Sequence, residues 1–513
     1  MKKKMIHLRK SLLTILTLAG ILVLASCSKS DSYCSVIPED AYLLGRVSVN
    51  ELLDENDLSI EQLMKQFNAP QKVIDKFDEL KNSGLDIDAP LYFFVTAKGM
   101  MGLAGKMTDA GQFKEFFEKE TKESVQEAEG ICYVEEKRPG RMTPILCFDD
   151  ERWLMVLSSE GAVSPEDAFG LMHQDESESV LEKDLYKQLM DAEKPMAVNL
   201  DMMKASASFQ KLASLTAIRP SDANMLSLAS MFVPNANVLM CFEVKGERAG
   251  FTVDVFPADD AAKEQFEKML AGCPKIKGDL IEAGTENPIV WACMGVDGAK
   301  YLEQLNNIPF VAQALQEVKK QFDYEAALSS LSGDVVFSLS SKDLNEDAPQ
   351  MLLVAQTQDD KLVKSIEPFC GQSMGLFMLN KTGDKQYAIS TMSPFDLSKG
   401  TTSAFLGQKD DCFYVTNQES LLTVKPDNKI VKAYEDDIEE SQFFVLFDIQ
   451  RLTTLLEDQF GNNAKQAEKL SKIKDMKDIV IKGNQFHVEF YLHMMPGKKV
   501  SESVLDLASQ VCK

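Results

Sequence analysis

The chain has 513 residues, 79 of them acidic against 55 lysines and arginines, and its formal net charge is −24. This acidic balance argues against binding nucleic acid, whose phosphates require a basic surface, and against lying flat on anionic lipid. At 45% hydrophobic residues the chain can bury sizeable cores, and its length indicates roughly two to four domains.

Residues 1–26 have the pattern of a secretory signal peptide. Five lysines and arginines and no acidic residue stand in the first ten positions, and an apolar run follows from Leu12 to Ala25. A basic start, a short apolar centre and a small-residue exit are typical of a signal that is cleaved. The run is shorter than the ~20 residues that cross a bilayer comfortably.

The exit of this segment, Leu24-Ala25-Ser26-Cys27, resembles the lipobox of bacterial lipoproteins. The resemblance implies that the Cys27 thiol is joined to a diacylglycerol and that the chain is cut just before it. The alternative is an ordinary signal peptide with a chance cysteine. Two or three acyl chains hold a protein on a membrane, whereas a single chain does so only marginally. We therefore predict lipidation at Cys27.

The residues after Cys27 predict where the anchor lies. Ser28 stands where an inner-membrane retention signal has Asp, so by analogy we predict the outer membrane. Residues 27–33 form a polar tether with one acid, which is compatible with either the periplasmic or the cell-surface face. Removal of residues 1–26 changes the net charge from −24 to −29.

One cysteine pair is a candidate disulfide. Cys132 and Cys147 flank Arg138-Pro139-Gly140-Arg141, which reads as a turn. In a two-residue hairpin the two cysteines would face each other within disulfide reach, whereas a longer loop would shift the register. No CxxC or closely spaced set occurs, so nothing indicates a zinc site or thioredoxin-type chemistry.

A strand that ends in Asn or Asp and leads into a helical pattern occurs four times. The Asn or Asp residues are Asn50, Asp201, Asp297 and Asp448. Both residue types are good helix N-caps, because the side chain accepts a hydrogen bond from the first turn. Asn50 and Asp201 are 151 residues apart, and so are Asp297 and Asp448. This spacing predicts an internal duplication.

Other features recur in the same order. Residues 242–246 and 251–255 read as strand, glycine turn, strand, and residues 479–483 and 486–490 repeat that pattern. We predict an α+β fold made of two tandem pseudo-repeats, each a mainly antiparallel sheet with packed helices. The predicted repeats are residues 34–285 and 286–513.

Residue types that carry chemistry are scarce. After the signal, only His173, His487 and His493 remain, and neither GxSxG nor HExxH occurs. We therefore predict no catalytic residue, no cofactor and no metal site. Paired carboxylates need no histidine, so a carboxylate-dependent hydrolase of peptide or glycan stays as an alternative.

Nearly the whole mature chain resembles one family. A lipobox, about 500 residues in all, Val36-Ile37-Pro38-Glu39-Asp40-Ala41 at the first strand and Asn50-Glu51-Leu52-Leu53 after it resemble the Bacteroides-type lipoproteins grouped as domain of unknown function 4836. The resemblance implies a cell-envelope protein from an anaerobic gut-type bacterium. It assigns no catalytic residue.

These patterns favour a non-enzymatic envelope protein that binds or scaffolds a protein or glycan partner. Duplicated halves often form a cleft, and clefts are where ligands bind. The hydrolase and a purely structural envelope role are the alternatives.

Overall fold

The structure is a computed structural model that describes residues 32–60, 62, 71–135, 144–158, 163–215, 235–320, 322–342, 349–374, 377–393, 396–422, 428–460, 470 and 473–501. The chain divides into two compact units. Unit 1 ends at Ala262 and includes the chain from Lys499 onward, whereas unit 2 is Lys263–Lys498. The predicted signal peptide and Cys27 lie outside the described residues.

Unit 1 is built on an antiparallel sheet. Its strands in the described residues are β1 (Ala41–Val47), β2 (Leu91–Thr96), β3 (Met100–Lys106), β4 (Gln126–Ala128), β5 (Ile131–Glu135), β6 (Ile145–Phe148), β7 (Arg152–Ser158), β8 (Met196–Asp201), β9 (Ala236–Lys245) and β10 (Arg248–Pro257). They lie in the order β10-β9-β8-β1-β2-β3-β7-β6-β5-β4. The helices are α1 (Val49–Asp54), α2 (Gln71–Lys81), α3 (Ala110–Thr121), α4 (Pro165–His173), α5 (Asp184–Asp191) and α6 (Met202–Leu215).

Helix α7 (Asp260–Leu270) carries the chain from unit 1 into unit 2. The strands of unit 2 are β11 (Val290–Asp297), β12 (Leu331–Ser340), β13 (Gln350–Thr357), β14 (Ser373–Met374), β15 (Phe377–Gly383), β16 (Gln386–Ser393), β17 (Asp396–Lys409), β18 (Cys412–Thr416), β19 (Phe443–Asp448), β20 (Met476–Gly483) and β21 (His487–Met494). Its helices are α8 (Gly298–Asn306), α9 (Pro309–Lys319), α10 (Tyr324–Ser329), α11 (Lys361–Ile366), α12 (Lys429–Lys432), α13 (Glu435–Glu440) and α14 (Ile449–Phe460).

The strand order of unit 2 is β21-β20-β19-β11-β12-β13-β18-β17-β16-β15-β14. Apart from the two-residue β14, this order follows that of unit 1 strand for strand. The described helices and antiparallel strands confirm the predicted α+β class.

The unit 1 sheet is buried on both faces, because alternate side chains of a strand point to opposite sides. Tyr92 and Phe94 of β2 pack with Leu154 of β7 in one core cluster. Leu91 and Trp153, each one residue away along those strands, belong to a second cluster. Helices α4 and α5 contribute Phe169 and Leu185 to the first cluster, and helices α2 and α3 contribute Phe77 and Phe113 to the second.

Three of the four predicted helix caps are confirmed. The side chains of Asp201, Asp297 and Asp448 each accept a hydrogen bond from the backbone N–H three residues later, at 2.9, 3.2 and 2.9 Å. Each of these acids ends its strand and begins the following helix, as the sequence predicted.

The fourth predicted cap, Asn50, is wrong. Helix α1 begins at Val49, and Ser48 is its N-cap residue. Asn50 therefore lies inside the first turn, where its side-chain amide donates to Asp88 at 2.7 Å. The helix starts earlier than the polar pattern indicated, because Val49 enters the helix rather than ending the strand.

The unit boundaries differ from the predicted repeat boundaries. Ile276 and Ile281, placed by the sequence in the first repeat, are buried in the core of unit 2. Lys499 pairs with Asp57 of unit 1 at 3.0 Å. Tyr33, predicted as the last tether residue, is buried and donates through its hydroxyl to the carbonyl of Pro90.

Candidate functional site

The predicted Cys132–Cys147 disulfide is wrong in this structure. In the β5–β6 ladder Cys132 lies opposite Phe148, and Cys147 lies opposite Tyr133. This register is shifted by one residue from the predicted one, and a one-residue shift moves a side chain to the other face of the sheet. Both thiols are free, and the predicted turn at 138–141 lies outside the described residues.

A cavity of about 510 Å³ lies in unit 1, where β1 and β9 begin and β8 and β10 end. Its volume is within the range of small-molecule sites. We call it the α5 cavity, because helix α5 contributes to its lining. Charged, amide and apolar side chains line it: Glu39, Asp40, Ala41, Ala97, Lys183, Asp184, Leu185, Gln188, Asp201, Lys204, Asn237, Phe256, Pro257 and Ala258.

Both lysines of the α5 cavity are neutralised by neighbouring acids. Lys183 Nζ lies 2.6 Å from a carboxylate oxygen of Glu39, and Lys204 Nζ lies 3.2 Å from one of Asp201. The hydrogen bond from Lys183 lowers the pKa of Glu39. The cavity therefore contains two ion pairs that cancel in charge.

The remaining carboxylates of the α5 cavity are Asp40 and Asp184. Within the described residues, neither carboxylate has a hydrogen-bonding or ionic partner. Asp40 is half-buried and Asp184 is exposed. With both lysines neutralised, these two acids give the cavity a net negative charge.

A cluster of side-chain amides lies against helix α5. Gln188 Oε1 accepts hydrogen bonds from Asn199 Nδ2 and Asn237 Nδ2, both at 3.0 Å. Asn199 is fully buried, and its Nδ2 also donates to the carbonyl of Leu185 at 2.9 Å. These bonds fix the amides of Gln188 and Asn237, which line the cavity, in one orientation.

A second cavity, of about 610 Å³, lies between helices α2 and α3. Its lining includes Asp75, Asp78, Glu79 and Glu115 with one lysine, Lys119. Acids along the polar sides of two helices are the usual composition of a solvated surface. The α5 cavity is the stronger candidate, because it combines fixed polar groups with apolar side chains.

Unit 2 contains a network of polar and ionisable side chains around one buried carboxylate. Asp478 is fully buried, and its Oδ1 lies 2.6 Å from His493 Nδ1. Its Oδ2 accepts from the Tyr434 hydroxyl at 2.9 Å and lies 3.0 Å from Lys477 Nζ. We refer to Tyr434, Lys477, Asp478 and His493 as the Asp478 network.

The pKa values of Asp478 and Asp448 shift in opposite directions. Burial alone raises the pKa of Asp478, but the hydrogen bonds from His493, Lys477 and Tyr434 outweigh it and hold the pKa below its ordinary value. Burial raises the pKa of Asp448, and the charge of Asp478 raises it further. Burial and Asp478 also raise the pKa of Tyr434. Asp478 is therefore the fixed anion of the cluster.

The α5 cavity and the Asp478 network occupy the same place in their respective sheets. In unit 1, Asn237 lies opposite Asp201 on one side and Phe256 on the other. In unit 2, Asp478 lies opposite Asp448 and His493 in the same way. Asn237 donates a hydrogen bond to Gln188, which lies in the segment before β8. Asp478 accepts one from Tyr434, which lies in the segment before β19. One position thus borders a cavity in unit 1 and is filled by charged groups in unit 2.

The sequence did not single out the α5 cavity, because its lining comes from six separated segments. The available signal was Asn199, a polar residue in the middle of the apolar strand Met196–Asp201. A buried polar group needs hydrogen-bond partners, so Asn199 indicated a polar cluster there. No local pattern connected His493 with a partner, and in the structure its Nδ1 lies 2.6 Å from Asp478 Oδ1.

No three His, Cys, Asp or Glu side chains among the described residues are grouped so as to hold a metal ion. None of their helices is long and apolar enough to cross a lipid bilayer.

A family model described as Domain of unknown function (DUF4836) matches residues 50–480. No curated protein and no solved structure gives a significant match to the chain. The family match covers most of the chain and includes strands of both units, among them β2 and β19. The chain therefore belongs to the family Domain of unknown function (DUF4836).

Proposed function

We propose that this protein is a lipid-anchored cell-envelope protein that binds a small ligand in the α5 cavity and catalyses no reaction. The pattern around Cys27 supports the anchor, and Ser28, which stands where an inner-membrane retention signal has Asp, supports the outer membrane. The α5 cavity supports binding, because fixed amides and unpaired carboxylates line a volume suited to a small molecule.

The observation that carries this proposal is the contrast between equivalent positions. Asn237 borders an open cavity, whereas Asp478 is fully buried among Tyr434, Lys477 and His493. In unit 2 the protein's own side chains fill this position, whereas in unit 1 the position stays open. An open, polar-lined cavity exposes groups that a ligand can satisfy.

We also infer that the two units arose by duplication. Leu43 lies opposite Leu200 in unit 1, and Val290 lies opposite Phe447 in unit 2. Each residue of the second pair is 247 positions after its counterpart, the interval that separates Asn50 from Asp297. Shared strand order and shared register support a common origin. An experimental structure whose units fail to superpose strand for strand would contradict it.

A hydrolase that uses paired carboxylates is the second candidate. Asp448 and Asp478 lie opposite each other on adjacent strands, and their pKa values shift in opposite directions. Such divergence marks acid–base pairs in many enzymes. Asp478 is, however, fully buried and already bonded to three side chains, which leaves it no access to a substrate.

Ligand retention tests the binding proposal. The full chain would be purified under native conditions from its own envelope and analysed by native mass spectrometry. Ala258→Trp fills the rim of the α5 cavity, and Ala261→Trp, on the exposed side of helix α7, is the matched control. We expect wild type and the control to retain a small molecule that Ala258→Trp loses. Equal retention by all three would mean that the molecule binds outside this cavity, and retention by none would favour a purely structural role. Either result would contradict binding in this cavity.

Membrane fractionation tests the anchor. Cys27→Ala should release the protein from membranes, because the acyl chains provide the attachment. Protease shaving of intact wild-type cells then distinguishes the surface from the periplasmic face. Membrane retention of the Cys27→Ala protein would contradict the proposed lipidation.

A further inference from the structure

We propose that the ligand of the α5 cavity carries a primary ammonium group next to an amide, as the amino end of a short peptide does. This inference rests on the proposed function, since it requires that the cavity bind a ligand at all. It names the chemical class that the lining selects.

The charges of the lining favour a cation. Lys183 and Lys204 are each neutralised by an acid, whereas Asp40 and Asp184 are without a partner in the described residues. An anionic ligand would meet this net negative charge with no unpaired cation to offset it. An ammonium group can instead form charge-assisted hydrogen bonds to these two carboxylates.

The amides of the lining favour a group that both donates and accepts hydrogen bonds. Gln188 Oε1 is occupied by the amides of Asn199 and Asn237, so Gln188 Nε2 is left as a donor. Asn237 donates through Nδ2, so its Oδ1 is left as an acceptor. Within the described residues neither of these two atoms has another partner. A peptide bond presents the complementary carbonyl and N–H.

Apolar side chains complete the lining. Leu185 is buried in the core, and Phe256 and Pro257 are half-buried at the end of β10. These residues border the same cavity as the free carboxylates and the two amides. A ligand that joins an ammonium, an amide and an apolar side chain therefore matches the three parts of the lining.

Calorimetric titration of the full chain tests this inference with defined probes. The probes are the tripeptide Ala-Leu-Ala, its N-acetylated form, and glucosamine as an ammonium without a peptide bond. The test variant is the double substitution Asp40→Asn/Asp184→Asn. Its control is Asp175→Asn/Asp191→Asn, which makes the same change in net charge at exposed residues outside the cavity.

We expect the free tripeptide to bind the wild type and the control equally. Acetylation of the probe, or the Asp40→Asn/Asp184→Asn substitution, should weaken binding by roughly tenfold or more, because charge-assisted hydrogen bonds are lost. Glucosamine should bind more weakly than the tripeptide. Equal binding of glucosamine would reduce the recognised class to any ammonium and overturn the peptide assignment.

Equal affinity for the free and acetylated tripeptide would overturn the ammonium assignment. Failure of every probe to bind would also overturn it, provided that Ala258→Trp still loses a molecule that the wild type retains. That combination leaves the proposed binding function intact. If no probe bound and Ala258→Trp retained as much of the molecule as the wild type, both the ammonium assignment and binding in the α5 cavity would be refuted.

Discussion

Asp478 and His493 lie opposite each other in the β20–β21 ladder, with Oδ1 of the aspartate 2.6 Å from Nδ1 of the histidine. The corresponding residues of unit 1 are Asn237 and Phe256, which also oppose each other. One pair joins a buried carboxylate to an imidazole, and the other borders a cavity. The same sheet position thus holds the Asp478 network in unit 2 and borders the α5 cavity in unit 1.

Replacing Asp478 with Ala should destabilise the protein. The substitution leaves Lys477 and His493 without their buried anion and Tyr434 without its acceptor. Leaving a partly buried polar group such as the Tyr434 hydroxyl without its partner costs about 1–3 kcal/mol. Urea unfolding at pH 7 measures the change. A loss comparable to that of an ordinary surface substitution, below ~0.5 kcal/mol, would show that the network contributes little.

The Asp478 network should also make the protein sensitive to acid. The pKa of Asp478 is lowered on folding, so its contribution to stability is present above the unfolded value, which is about 3.9. That contribution is lost as the pH falls through the folded pKa. The free energy of unfolding should therefore fall more steeply with acid in the wild type than in Asp478→Asn. Parallel pH profiles between pH 5 and pH 2, roughly the range where carboxyls titrate, would contradict this.

Asp448→Asn should stabilise the protein at neutral pH. The pKa of Asp448 is raised by burial and by Asp478, so ionising it costs stability as the pH rises above the unfolded carboxyl value. Asn removes that cost and still caps helix α14, where Asp448 accepts from the backbone N–H of Arg451. We expect a gain on the order of 1 kcal/mol at pH 7 that disappears in acid. Thermal unfolding at both pH values measures it.

Asp448→Ala is the comparison for that experiment. It removes the charge and also the cap, and loss of a cap costs about 1 kcal/mol. Asp448→Ala should therefore be less stable than Asp448→Asn at every pH. If the two variants were equally stable, the capping contact would have no energetic weight.

The two residues Asp297 and Asn50 should respond differently to Ala. Asp297 caps helix α8, so Asp297→Ala should cost about 1 kcal/mol. Asn50 lies inside helix α1 and makes an exposed contact to Asp88, so Asn50→Ala should cost less than ~0.5 kcal/mol. Chemical unfolding of both variants tests the helix starts. Equal losses would indicate that Asn50 is a cap after all.

Cys132 and Cys147 should both be recovered as free thiols. Burial raises the pKa of Cys147 to about 12, so the native protein should resist alkylation there at pH 8. Cys132 is half-buried and should react faster. Peptide mass spectrometry after alkylation, before and after unfolding, measures both rates. A disulfide-linked peptide pair would contradict the register of the β5–β6 ladder.

Local patterns in the sequence were sufficient for some elements. The hairpins β9–β10 and β20–β21 followed from period-two alternation around a glycine, and both are confirmed. The caps at Asp201, Asp297 and Asp448 followed from a polar residue at the end of an apolar run. Such features depend on neighbours in the chain, so the sequence contains their signal.

Features that depend on distant residues could not be predicted. The register of Cys132 and Cys147 depends on the conformation of the intervening loop, which residue types alone do not fix. The α5 cavity requires that Asp40, Gln188 and Asn237 meet, and only the strand order brings them together. The Asp478 network likewise joins residues from three separate elements.

Hydrogen–deuterium exchange on the full chain tests the central claim most directly, because each experiment contains its own control. The protein would be compared with and without a small-molecule extract of its envelope. The account predicts added protection in β8 and β9, which border the α5 cavity, and none in β19 and β20, which hold the equivalent position in unit 2. Equal protection in both units, or none in β8 and β9, would contradict a ligand site in the α5 cavity.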